Sequence, residues 1–277
     1  MEDTRQSATH PETTHQAIVF ENVSIEFEGK SVLDEVSFVL KRGGTKILFG
    51  IAGAGKSTIL KMALGLVKPD SGRIVTLGYE VSSMKEEELF ELRRKIGMVF
   101  QESALFDSLT VEENVAYRLQ EEEDLPREEM HKRVVESLRF VELEQTLELF
   151  PSELSGGMRR RVAIARAIIS QPEVLLYDSP TAGLDPITST RIIELIVKQR
   201  DFYKTSALLV THRLQDAFIM ASHYFDPKTN QMVPITAGSG RNVHTTFLIL
   251  RQGKVIFDGT APELARSEDE YIREYIA

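Results

Sequence analysis

Residues 50–57 read Gly50-Ile51-Ala52-Gly53-Ala54-Gly55-Lys56-Ser57, and the rest of the chain is best read outward from them. They fit the pattern G-x-x-x-x-G-K-[ST], with a short apolar strand at 46–49 before them and helical residues from 56 to about 66 after. Glycines let a backbone curl around an anion without Cβ clashes, and successive amides then point inward. The helix N-terminus adds its partial positive charge. Lys56 is spaced to reach the outer phosphates of a nucleotide, and the Ser57 hydroxyl to ligate Mg²⁺, with Thr58 next in the first turn. The bland alternative is a glycine-rich turn before a helix. The strand–loop–helix setting argues against it.

Further along, Val174-Leu175-Leu176-Tyr177-Asp178 is an apolar strand ending in a carboxylate. In a sheet that also holds the glycine loop, Asp178 sits at the C-terminal edge, where it can hold Mg²⁺ through water. Strand patterns also fall at 17–27, 32–40, 73–77, 96–100 and 207–210, and helical ones at 86–94 and 187–201. Strands alternating with helices predict a parallel sheet covered on both faces. Residues 110–169 alternate helical segments with breaks at Leu125-Pro126 and Phe150-Pro151-Ser152, which predicts a helical subdomain, about 102–165, inserted into that sheet. Residues 223–246, rich in turn signals such as Asp226-Pro227 and Gly238-Ser239-Gly240, read as a surface insertion, a hairpin excursion. Two strands follow at 247–257, turning at Gln252-Gly253-Lys254. The core domain is expected over 17–261, a C-terminal helix over 262–277, and a polar, disordered tail over 1–16.

Composition limits the partners. Hydrophobic residues are 42% of the 277, enough for a core, and Lys+Arg 33 against Asp+Glu 42 gives a net charge of −9. That opposes a broad nucleic-acid surface, yet leaves room for a local phosphate pocket. The absence of cysteine rules out disulfides, zinc–thiolate sites and thiol catalysis. No apolar run approaches the roughly 18 residues that cross a bilayer. A soluble chain is expected, with any membrane role exercised through a partner.

Leu154-Ser155-Gly156-Gly157-Met158 opens a helix with a hydroxyl and two glycines, a second anion-binding terminus. One chain already has one phosphate cradle, so this second half-site invites a head-to-tail dimer. The motif resembles the signature of ABC (ATP-binding cassette) ATPases, and the resemblance extends over about 17–259. It implies an α/β fold: a P-loop NTPase (RecA-like) core, an antiparallel β subdomain and an inserted α-helical signature subdomain. It implies that Phe27 stacks on adenine and that Gln101, after Met98-Val99-Phe100, contacts Mg²⁺ and relays to a permease. Gly183-Leu184-Asp185 matches the D-loop, and His212, after Leu208-Leu209-Val210-Thr211, the residue that contacts the γ-phosphate. Taken singly, Phe27 reads as core, Gln101 as surface polar and His212 as a satisfied histidine; their order beside both glycine motifs makes the case. Within the superfamily the chain is most similar to ATPases of Mla/Mce-type lipid transporters. The segments that carry this are Gln101-Glu102-Ser103-Ala104-Leu105-Phe106, Glu113-Asn114-Val115-Ala116-Tyr117, Pro151-Ser152-Glu153-Leu154-Ser155-Gly156-Gly157-Met158 and Gly183-Leu184-Asp185-Pro186-Ile187-Thr188. Implied with it are ATP and Mg²⁺, a homodimer, an integral membrane permease, a lipid-binding Mce-type component, and a place at the cytoplasmic face of the inner or plasma membrane.

One residue departs from that pattern. The family places Glu after the Asp of the second motif, to polarise the attacking water; here Ser179 follows Asp178. Losing a positioned general base costs about 10²–10⁴ in rate. Three outcomes stay open: slow hydrolysis with His212 and Gln101 positioning water, a carboxylate supplied from elsewhere, or closure on ATP without turnover. Arg213, where relatives often carry Asp, is a milder departure. The rival functions are a soluble ABC ATPase outside transport and a regulatory nucleotide sensor.

Overall fold

The computed structural model describes residues 15–122, 125–236 and 244–276. Strands β1 (Gln16–Phe27) and β2 (Lys30–Lys41) form an antiparallel hairpin, with four consecutive buried residues at the start of β1 and alternation of buried and less buried residues in the second half of β2. Next come β3 (Thr45–Phe49), α1 (Lys56–Ala63), β4 (Ser71–Thr76) and the two-residue β5 (Tyr79–Glu80). β4 returns antiparallel to β1, so the first sheet runs β2-β1-β4-β5. After α2 (Glu86–Arg93) and β6 (Ile96–Val99), the chain leaves the sheet for α3 (Val111–Glu122), α4 (Arg127–Phe140) and α5 (Gly156–Ile168). A capping box starts α3: Thr110 Oγ1 accepts from the Glu113 amide, and Glu113 Oε2 accepts from the Thr110 amide.

The chain then builds β7 (Val174–Asp178), α6 (Pro186–Tyr203), β8 (Ser206–Val210), α7 (Leu214–Ser222), the hairpin β9 (His223–Asp226) and β10 (Gln231–Pro234), β11 (Thr245–Arg251) and β12 (Lys254–Thr260). The second sheet has the order β12-β11-β3-β8-β7-β6. Its strands run parallel except the antiparallel edge β12. β3 is buried along its whole length because it faces two cores. Ile47 and Phe49 join the helical side with Leu175, Tyr177, Leu209 and Phe247. Leu48 joins the first sheet and α1, against Phe20, Ile59 and Leu248. Each such fully buried side chain contributes about 1.5–3 kcal/mol.

Several sequence expectations shift. The helix after the glycine loop ends at Ala63, not near 66, because Gly65 turns to φ 68° and its amide closes on the Met62 carbonyl. The C-terminal segment is two helices, α8 (Ala261–Ala265) and α9 (Glu270–Ile276). Asp269 divides them, its Oδ1 accepting from the Ile272 amide as a fresh N-cap. Gln16 lies in β1 rather than in a tail, and the His15 carbonyl accepts from the Arg42 amide; the rest of that tail, 1–14, lies outside the described residues. The 223–246 segment is not purely superficial: Phe225 is buried and its amide is held by Asp201 Oδ2 at 2.7 Å. Residues 237–243 of that segment also lie outside the described residues. The helix α7 had no sequence expectation.

Candidate nucleotide site

β3 delivers the glycine loop at the C-terminal edge of the parallel strands. Gly55 is the tightest point, at φ 89° as the N-cap of α1. A Cβ there would lie 2.5 Å from Leu33 Cδ2 and 2.9 Å from the Val32 carbonyl oxygen. Lys56 folds over the loop, its Nζ donating to the carbonyls of Gly50 at 2.7 Å and Ile51 at 2.8 Å. Burial pushes the Lys56 ammonium below its ordinary pKa, and the Asp178 carboxylate opposes that.

Next to this loop, β7 ends at Asp178, paired with Val210 of β8. Ser179 then turns to φ 49°, its amide bonded to the Val210 carbonyl at 2.9 Å. The result is a cleft of about 390 Å³ whose walls include Gly50, Ala52, Gly53, Gly55, Lys56, Ser57, Thr58, Gln101, Ser179 and His212. Val32 and Val210 also line it, two residues the sequence reading did not single out. Ala54 is buried behind the loop and Ile51 projects outward, 54% exposed. Phe27 stands apart at the end of β1, an exposed ring 47% accessible. Among the described residues no group of three or more His, Cys, Asp or Glu side chains could hold a metal ion alone. One hydroxyl, Ser57, and one carboxylate, Asp178, nevertheless suit Mg²⁺, which keeps several waters and takes its remaining oxygens from substrate phosphates.

The second glycine motif lies outside this cleft. Ser155 is exposed and caps α5, its Oγ accepting from the Met158 amide at 3.2 Å. Gly157 is required by packing within the chain: a Cβ there would lie 2.5 Å from Thr188 Cγ2 on α6. Asp185 caps α6, its Oδ1 accepting from the amides of Ile187 and Thr188 at 3.0 Å each. Its bonds with Thr188 lead in holding that carboxyl below its ordinary pKa.

Comparison with known proteins gives the family. The model described as "ABC transporter" matches residues 33–182. The chain belongs to the ABC transporter family. It is similar to the methionine import ATP-binding protein MetN of Carboxydothermus hydrogenoformans, 41% identical over 72% of this chain but only 59% of that protein's length. It is similar also to the intermembrane phospholipid transport ATP-binding protein MlaF of Escherichia coli, 31% identical over 92% of this chain and 86% of MlaF. Among solved structures, a dimeric ATP-binding cassette in a post-hydrolysis state with ADP and phosphate matches with a TM-score of 0.73 and 29% identity, over 88% of this chain and 98% of its own. The cassette cbiO1 of Clostridium perfringens matches with a TM-score of 0.76 and 27% identity, over 94% of each chain.

Within this ABC ATPase cassette, three supports escaped the sequence reading. Arg160, buried in α5, donates from Nη1 to the Phe100 carbonyl at 2.9 Å, beside Gln101, and from Nη2 to the Ala182 carbonyl at 3.5 Å. Arg166 donates to the carbonyls of Ala104 and Ser103. Buried Asn114 ties the same loop from the far side, accepting from the Phe106 amide and donating to the carbonyls of Phe106, Leu109 and Thr110. The available signal was the run Arg159-Arg160-Arg161 directly after the second glycine motif. Behind His212, Arg213 donates from Nη1 to Ser189 Oγ at 2.5 Å and lies 3.7 Å from Asp216. Buried Asp216 accepts from Thr181 Oγ1 at 2.5 Å. Arg213 thus ties the His212 loop to α6.

Proposed function

We propose that this chain is the ATP-binding and ATP-hydrolysing subunit of a membrane transporter, acting as a homodimer, with a lipid as cargo. The observation that carries the reading is the cleft in which Gly50, Ala52, Gly53, Gly55, Lys56, Ser57, Thr58, Gln101, Ser179 and His212 converge while Ser155 stands outside it, exposed at a helix N-terminus. A cradle in one place and an unused anion-binding terminus in another fit two copies packed head to tail. In each composite site Lys56, Ser57 and Asp178 come from one chain, and Ser155 and Gly157 from the other. Lys56 exchanges the loop carbonyls for the β- and γ-phosphates, and Phe27 offers its ring to the base. Ser57, Asp178 and Gln101 would hold Mg²⁺, which would supply positive charge beside the phosphates. Gln101 and His212 orient water; Ser179, neutral at pH 7, leaves proton removal weak. The Asp185 carboxylate faces the partner as the D-loop.

Closure of the dimer would pull on permease helices at the cytoplasmic face of the inner or plasma membrane. Among the described residues no helix is long and apolar enough to cross a membrane. The lipid assignment, with its Mce-type component, is supported by similarity to MlaF that runs through most of both chains, against 59% of the methionine protein. A second reading, a nucleotide-sensing subunit without turnover, is motivated by Ser179.

Phosphate release and light scattering test both. With ATP and magnesium the protein is expected to dimerise and hydrolyse slowly, and Ser179→Glu to raise turnover by about 10²-fold or more. Absence of ATP binding overturns the nucleotide-site reading. Dimerisation without any phosphate release, even alongside the permease, supports the sensor instead. In reconstituted membranes, stimulation by methionine rather than by phospholipid removes the lipid cargo.

A further inference from the structure

The N-terminal edge of the same parallel strands, opposite the nucleotide cleft, carries a second cavity. It has a volume of about 570 Å³ and lies between α4, the residues that follow α5, and the last turns of α6. Two polar atoms in its lining have no partner, Gln199 Oε1 and Ser170 Oγ. Gln199 is only 3% exposed, so its amide is withdrawn from bulk water. The other end of that amide reaches Thr205 Oγ1 at 3.5 Å, which leaves the oxygen as the free end. Buried polar groups without partners are rare in folded chains, and each calls for an explanation, an ordered water or a ligand among them.

The walls narrow the ligand class. α4 contributes Glu129, Arg133 and Glu136. Arg133 Nε pairs with Glu129 Oε1 at 3.4 Å, whereas Glu136 has no cation paired to it among the described residues. The rings of Phe140 and Tyr203 stand 6.0 Å apart, inclined at 60°. The Lys198 ammonium lies 4.6 Å over Phe140, so one face of that ring is already held by a cation of the chain and Tyr203 supplies the open ring. Two carboxylates against one guanidinium, with an amide oxygen, a hydroxyl and ring faces, favour N–H donors carrying positive charge. An anion would meet a wall of net negative charge.

We propose that this cleft binds a small organic cation, an amine or guanidine. Its nitrogen meets Glu136, Gln199 Oε1 and Ser170 Oγ, and its carbon body lies against Phe140 and Tyr203. Because α4 belongs to the helical segment and α6 to the sheet, an occupant bridges the two.

Calorimetric titration and thermal unfolding of the full chain test this, with agmatine and tyramine as probes and 4-ethylphenol as the neutral match to tyramine. At least one amine is expected to bind saturably and raise Tm, while 4-ethylphenol does neither. Glu136→Gln, at an exposed position, is expected to weaken binding about tenfold or more by removing a charged acceptor. Gln199→Met keeps the volume and removes the unpaired oxygen; it is expected to weaken amine binding while leaving Tm without ligand equal or higher. ATP binding stays unchanged in both variants. The proposal is overturned if neither amine binds, if 4-ethylphenol binds equally well, or if Glu136→Gln leaves amine affinity intact. Should Gln199→Met fail to fold, Glu136→Gln alone decides.

Discussion

Ser179 and Gly55 mark two kinds of constraint at the nucleotide site. Gly55 is fixed by space as well as by φ, with Leu33 and Val32 on the side where a Cβ would go. Gly55→Ala is therefore expected to lose about 1–3 kcal/mol of stability, read from urea unfolding, and to bind ATP more weakly. Buried Asp216 gives a pH test. Burial raises its carboxyl above the ordinary value, opposed by Thr181, Arg213 and His212. A carboxyl raised in the folded state binds protons more tightly there than in the unfolded chain. Its charge therefore costs stability at neutral pH, and that cost fades as pH falls through the raised folded-state value. Relative to Asp216→Asn, the parent protein should gain stability on going from pH 7 towards the acid range, measured as the difference in urea midpoints. At this scale the placement of Lys56, Ser57 and His212 around one cleft was legible, because the glycine loop and His212 each follow an apolar strand that the sequence displays. Arg160 and Asn114 were not, because their partners are carbonyls of an irregular loop and no side-chain pattern records such pairings.

Helix α5 joins the signature terminus to the loop holding Gln101. Arg160→Ala leaves the carbonyls of Phe100 and Ala182 without their donor, at a cost of about 1–3 kcal/mol. Thermal unfolding should record that loss. ATP turnover should fall further than ATP affinity, since Gln101 is displaced while Lys56 is untouched. The start of α5 could be read from Ser155 and its glycines; the packing need at Gly157 could not, since Thr188 belongs to another helix. For the same reason the break at 266–269 and the helix α7 were missed: capping geometry and tertiary burial determined them, and the local apolar pattern was too short to show either.

Across the whole molecule, two cores share one sheet, and a half-buried ion pair joins the middle of that sheet to its edge. Lys46 on β3, with its side chain 3% exposed, pairs with Asp258 on β12. Burial lowers the Lys46 pKa and the Asp258 bond pulls it back. Asp258→Asn strands that ammonium and should cost about 1–3 kcal/mol, read from chemical unfolding. Lys46→Met together with Asp258→Leu should recover most of it, since matched apolar replacements of buried pairs are often neutral. The layered α/β architecture was legible from strand spacing. The antiparallel edge strand β12 was not assigned its place, because pairing order depends on which strands meet in space.

In the proposed dimer α5 would act as a lever. Ser155 occupies its tip, and Arg160 and Arg166 rivet its shaft to the loop around Gln101. A partner's phosphate tugging on that tip would swing the Gln101 loop as well, with no rotamer change needed between them. News of the neighbour's nucleotide would thus arrive as tilt.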